Sequence, residues 1–99
     1  MDVFKIDSVT STTPAVADTS TSVLSANADR QWAKFINVSD EDIDLMLGPT
    51  AAIGDGIRLT SLSSTPATAS FEINRNNLYI GEVTAICVSG SKTLQVNEG

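Results

Sequence analysis

The densest group of ionisable side chains is Asp40, Glu41, Asp42 and Asp44. Such a run could hold a cation. Calcium takes about 6–8 oxygen ligands from a loop that wraps the ion, whereas this run lacks the EF-hand spacing and leads straight into Ile43-Asp44-Leu45-Met46-Leu47. On a strand Asp42 and Asp44 point the same way, which makes half a site at most. The simpler reading is a solvated turn whose charges protect a strand edge. Nucleophilic hydrolysis needs a base beside the nucleophile. The chain is rich in Ser and Thr but has no histidine and no Gly-x-Ser-x-Gly. The lone cysteine, Cys87, can form no internal disulfide, and within an apolar strand it reads as a small buried hydrophobe. Residues 48–56 bear glycines without a Gly-Lys-Ser/Thr ending, so they read as punctuation rather than a phosphate loop. No catalytic, metal-binding or cofactor-binding residue is assigned, and the chain is not read as an enzyme.

Attention therefore moves from chemistry to surfaces. Trp32, Phe35, Phe71 and Tyr79 could stack on sugars if exposed, but Trp32, Phe35 and Phe71 fit a core better. The net charge is −6, from 12 acidic and 6 basic residues. Lys34, Arg58, Arg75 and Lys92 are scattered rather than gathered into a basic stripe, which argues against nucleic-acid binding. No run approaches the roughly 18 apolar residues of a membrane helix. The first residues lack a basic segment followed by an apolar one, so no secretory signal is read and synthesis in a cytoplasm is expected.

The elements that would carry these side chains are short. Residues 31–38, 43–47, 57–62, 70–73, 78–80, 82–88 and 93–96 read as β-strands, mostly separated by Gly, Pro, Asn, Asp or Ser. Residues 89–91 fit a hairpin turn. The expectation is an all-β fold, a small antiparallel β-sandwich or β-barrel, with residues 82–88 near a sheet centre. Trp32, Ile36, Leu45, Leu59, Phe71, Ile86 and Val96 are expected in its core. Residues 1–29 differ. From Ser8 to Ala28 they are dominated by Ser, Thr, Ala and Val, with apolar residues too sparse for a separate core. They read as an N-terminal arm. Part of it is a first strand near residues 20–25, and part orders only against something else. Residues 30–99 form the sandwich domain.

Residues 30–98 also carry a recognisable layout. Arg30 opens it, followed by Ile36-Asn37-Val38-Ser39-Asp40, Ile43-Asp44-Leu45-Met46-Leu47-Gly48 and Gly56-Ile57-Arg58-Leu59. Phe71-Glu72-Ile73, Asn77-Leu78-Tyr79-Ile80-Gly81-Glu82-Val83 and Leu94-Gln95-Val96-Asn97-Glu98 complete it. This resembles small structural proteins of tailed-phage virions. The resemblance implies a β-sandwich placed in the virion, as a capsid decoration (cement) protein on the outside of the head. Its partners would be the major capsid protein or other virion proteins. A closed homo-oligomer is implied as well, a trimer being common on such lattices. The alternatives are a head–tail connector, neck or fibre component and, from a different class, a carbohydrate-binding module.

Overall fold

The computed structural model describes residues 8–64 and 66–99. Its strands are β1 (Thr10–Thr12), β2 (Ala15–Val16), β3 (Thr21–Leu24), β4 (Ala33–Asn37), β5 (Ile43–Leu47), β6 (Ile57–Leu59), β7 (Ser70–Ile73), β8 (Val83–Ile86) and β9 (Lys92–Glu98), with one 3-10 turn at Pro66–Thr68. One sheet has the order β1-β9-β4-β7, with β2 continuing β1 along β9; the other has the order β3-β8-β5-β6. All pairings are antiparallel. Both sheets are open, so the fold is a β-sandwich and not a closed barrel.

Among the described residues, β5 and β6 are the only consecutive strands that pair. Other connections from β2 onward cross between the sheets. Residues 89–91 are such a crossing rather than the expected hairpin: Gly90 and Ser91, at φ 81° and 54°, turn the chain from β8 in one sheet to β9 in the other. Residues 78–80 form no strand, although the Ile80 carbonyl accepts from Asn27 N–H at 2.7 Å. Residues 1–7 of the segment read as an arm lie outside the described residues, and the rest of it is woven into both sheets: β1 and β2 lie on β9, and β3 lies on β8. Its sparse apolar residues still matter, because Val16 and Val23 are buried in the shared core. What orders the arm is thus the remainder of its own chain.

Leu45, Leu59, Ile86 and Val96 are buried as expected, but Trp32, Ile36 and Phe71 are only half-buried. For β4 the reason is phase. Its inward residues are Ala33, Phe35 and Asn37, all at 0% exposure, and Trp32, Lys34 and Ile36 point outward. Either set could have faced in on side-chain size alone. The neighbouring strands decide it. Phe35 lies between Val96 of β9 and Phe71 of β7, whereas Ile36 lies between Gln95 and Ser70. Cross-strand neighbours share a face, so the clean alternation Leu94-Gln95-Val96-Asn97 of β9 sets the phase of β4. Phe71 is on the inner face but on an edge strand, so it stays partly open.

β8 sits inside its sheet and is buried along its whole length. Val83 and Ala85 belong to the core. Thr84 and Ile86 face the other way and are buried as well. The loop 48–56 supplies their cover: Thr84 Oγ1 donates to Gly48 O at 3.0 Å, and Ala51, 5% exposed, donates its N–H to Ser20 Oγ at 2.8 Å. Gly56 brings the loop back with φ 78°, and a Cβ there would collide with the Leu45 carbonyl oxygen.

The phase of β4 is testable by urea unfolding. Phe35→Ala should cost about 3–5 kcal/mol and Leu45→Ala about 2–5 kcal/mol. Trp32→Ala, on the outer face, should cost less than half of the Phe35 value.

Candidate functional site

The acidic run separates into two structural pairs and a turn. Asp44 lies directly across from Arg58 on β6. The pair is bidentate, with Arg58 Nε to Asp44 Oδ1 at 2.8 Å and Nη2 to Oδ2 at 3.0 Å, and Gly54 N–H adds a third donor at 2.9 Å. The Arg58 guanidinium, helped by that amide, holds the Asp44 carboxyl below its ordinary range against the opposing effect of burial. Asp40 pairs with Lys92 at 2.8 Å, which also holds its carboxyl low. Glu41 takes the hydroxyl and the N–H of Ser89 at 2.7 and 2.8 Å, and these bonds lower it too. Asp42 is exposed, near Arg58 at 3.9 Å and bonded by Ser61 N–H at 3.3 Å. Each of the four carboxylates thus already faces a donor of the chain itself. Among the described residues no group of three His, Cys, Asp or Glu could hold a metal ion.

The turn is built by Asn37, whose side chain is fully buried at the end of β4. Its amide donates to the carbonyls of Glu41 at 2.7 Å and Leu59 at 2.9 Å, and its oxygen accepts from Ser39 N–H at 3.0 Å and Ser39 Oγ–H at 2.6 Å. An amide side chain can satisfy all four of these bonds at once. The clip ties the end of β4 in one sheet to β6 in the other.

At the opposite end lies the residue whose importance the sequence pattern only hinted at by position. Arg30 is 2% exposed. Its Nε donates to Glu98 Oε2 at 2.7 Å, Nη1 to the carbonyls of Tyr79 and Gly81 at 2.7 and 3.1 Å, and Nη2 to Ser25 O at 2.7 Å. One guanidinium thereby joins the chain after β3, the loop before β8 and the end of β9. A buried arginine is recognisable in sequence only if its carboxylate partner is known, and Glu98 lies 68 positions away.

The remaining candidates are placed as follows. Cys87 is 1% exposed with its thiol toward the carbonyl of Val16 at 3.3 Å, the small buried residue expected. Phe35 is in the core, and Tyr79 packs against it with its hydroxyl on Glu82 O at 3.0 Å. Trp32 is half-buried on the outer face of the β1-β9-β4-β7 sheet, its Nε1–H on Glu72 Oε2 at 3.0 Å. That face holds the polar row Ser11, Asn97, Lys34 and Glu72, one residue from each strand. The apolar residues Trp32, Ile36 and Val38 form a column that crosses it. Beside Val38, 43% exposed, a groove of about 280 Å³ runs to Leu62, 41% exposed. A second cleft of about 330 Å³ separates the sheet edges at Thr12, residues 22–27 and Glu98. The outer face with its apolar column is the best candidate for a functional surface. Among the described residues no helix is long and apolar enough to cross a membrane.

Comparison of the chain with family models, curated proteins and solved structures finds no match.

Two substitutions test the clips. Arg30→Met should cost about 3–5 kcal/mol in urea unfolding, because Glu98 and three carbonyls lose their partner. Asn37→Asp should cost about 2–4 kcal/mol at pH 7, since a carboxylate would then face two carbonyl oxygens. Burial and those oxygens raise the folded pKa of the new carboxyl. The variant should therefore recover stability as pH falls, by protonation to a form that can donate. For Asp44 the sign is opposite. Its folded pKa is depressed, so its contribution is present above about pH 4 and is lost as pH falls through the depressed value. Asp44→Asn should flatten the stability profile below pH 4.

Proposed function

We propose that this protein is a phage capsid decoration protein, one that binds the outside of the head and stabilises the shell, with the major capsid protein as its partner. One observation carries the reading. The residues of the virion-like layout coincide with the joints of the fold. Arg30 and Glu98 form the buried clamp, and Tyr79 and Gly81 supply the carbonyls it holds. Asn37 and Ser39 form the opposite clip, and Gly56 is the position where a side chain would strike the backbone of β5. The layout is thus a recipe for a rigid body rather than for a reactive centre. Rigidity suits a part that must hold fixed geometry between shell subunits.

The arm adds to this. Its β1 and β2 strands run along β9, so residues 10–16 are tied to the body over two separate stretches. The fold thereby presents surfaces of constant shape, and many weak contacts on a repeating lattice add through avidity. Binding to folded shell subunits stabilises each site by roughly RT ln(1 + [L]/Kd), about 2.7 kcal/mol at a hundredfold excess over Kd.

The test is a particle melting curve with and without the protein, together with its copy number by quantitative mass spectrometry. Particles carrying hundreds of copies and melting higher with the protein fit decoration. About a dozen copies at one vertex would place it in the neck or tail instead, and absence from particles would end the virion reading.

A further inference from the structure

The two sheets treat their outer faces differently. On the β3-β8-β5-β6 sheet the chain covers its own outer face: loop 48–56 bonds to Asp44 and Thr84, and both residues, with Ile86, are buried. On the β1-β9-β4-β7 sheet the outer column follows β4, an interior strand, and is made of Ile36 on that strand with Trp32 and Val38 at its two ends. Trp32 and Ile36 stay half-buried, and Val38 and the adjacent Leu62 stay exposed. Large apolar groups on the open side of an interior strand are what a sheet presents to a second layer.

We infer that the second layer is another copy of this chain, packed outer face to outer face about a two-fold axis. The charges argue for it. The chain is strongly acidic, at −6, so two copies repel over most of their surface. This face is an exception. Its central charges are Lys34 and Glu72, opposite in sign and adjacent across strands. Among the described residues neither Lys34 nor Glu72 has an ion-pair partner, and Glu72 Oε2 accepts the indole N–H of Trp32. A two-fold operation sets two such dipoles head to tail, so that Lys34 of each copy meets Glu72 of the other. An isologous contact needs self-complementarity of this kind.

The size of the face sets the strength. Four strands at about 4.8 Å and five residues at about 3.3 Å give a flat footprint on the order of 300 Å². A standard interface buries about 800 Å² per partner. The contact is therefore weak and reversible, populated at high local concentration. It closes at two copies, unlike the trimer that lattice symmetry suggests, and it holds whether or not the protein belongs to a virion.

Sedimentation velocity over about 5 μM to 1 mM, in low salt, tests it. The mass of the native chain should rise from one copy toward two. Val38→Glu, at an exposed position, and Lys34→Glu should each weaken association at least tenfold while the thermal melt stays native-like. Lys34→Glu combined with Glu72→Lys should restore association, because the exchanged charges again face their opposites. A native chain that stays monomeric throughout, a trimer, or a dimer indifferent to both single substitutions would overturn the inference.

Discussion

The interaction on which the rest depends is the buried guanidinium of Arg30. A charge taken out of water costs several kcal/mol unless it is paired and hydrogen-bonded. Here Glu98 neutralises it and three backbone carbonyls take three of its other four donors. Those carbonyls belong to segments with little regular hydrogen bonding of their own, at Ser25, Tyr79 and Gly81. A planar cation with a fixed fork of donors can satisfy several such segments at once, where an ammonium could not. It therefore gives irregular chain at one end of the sandwich the definition that the ladders give elsewhere.

Asn37 does the same work at the far end with a neutral group. Together the two clips explain how a chain in which nearly every connection changes sheets keeps one register. Crossing connections leave the two sheets joined by loops rather than by hairpins, so the loops need internal bonding of their own. The buried polar groups are those bonds, and no buried side-chain nitrogen or oxygen among the described residues lacks a partner. The same economy shapes the outer faces. One is sealed by Asp44, Arg58 and loop 48–56, and the other is left with an apolar column and a balanced charge pair.

Much of this was legible in the residues. The alternation in residues 43–47 and 70–73 matches β5 and β7 in their full extent, because both runs are short and bounded by turn formers. The double-sided apolar run near residues 83–86 is a fully buried interior strand. Asp40 to Asp42 were readable as a turn, but Asp44, read with them as a solvated charge protecting a strand edge, is 3% exposed on the interior strand β5, where Arg58 and the Gly54 amide hold it. Other features were not legible. Residues 78–80 have strand-like composition but spend a carbonyl on Asn27. The phase of β4 was ambiguous because both of its faces carry bulky side chains, and the Asn37 clip was hidden because its four bonds reach residues up to 22 positions away.

By itself, the sequence determined that this is an all-β chain of short strands with one shared core, because strand period, turn residues and the absence of helical patterning are local properties. Only the tertiary structure decided which face of β4 points inward, which strands are neighbours, and that the Ser/Thr-rich start belongs to both sheets. Those outcomes depend on what lies across from each residue. Gln95 and Ser70 beside Ile36, or Glu98 beside Arg30, are neighbours through folding and not through the chain.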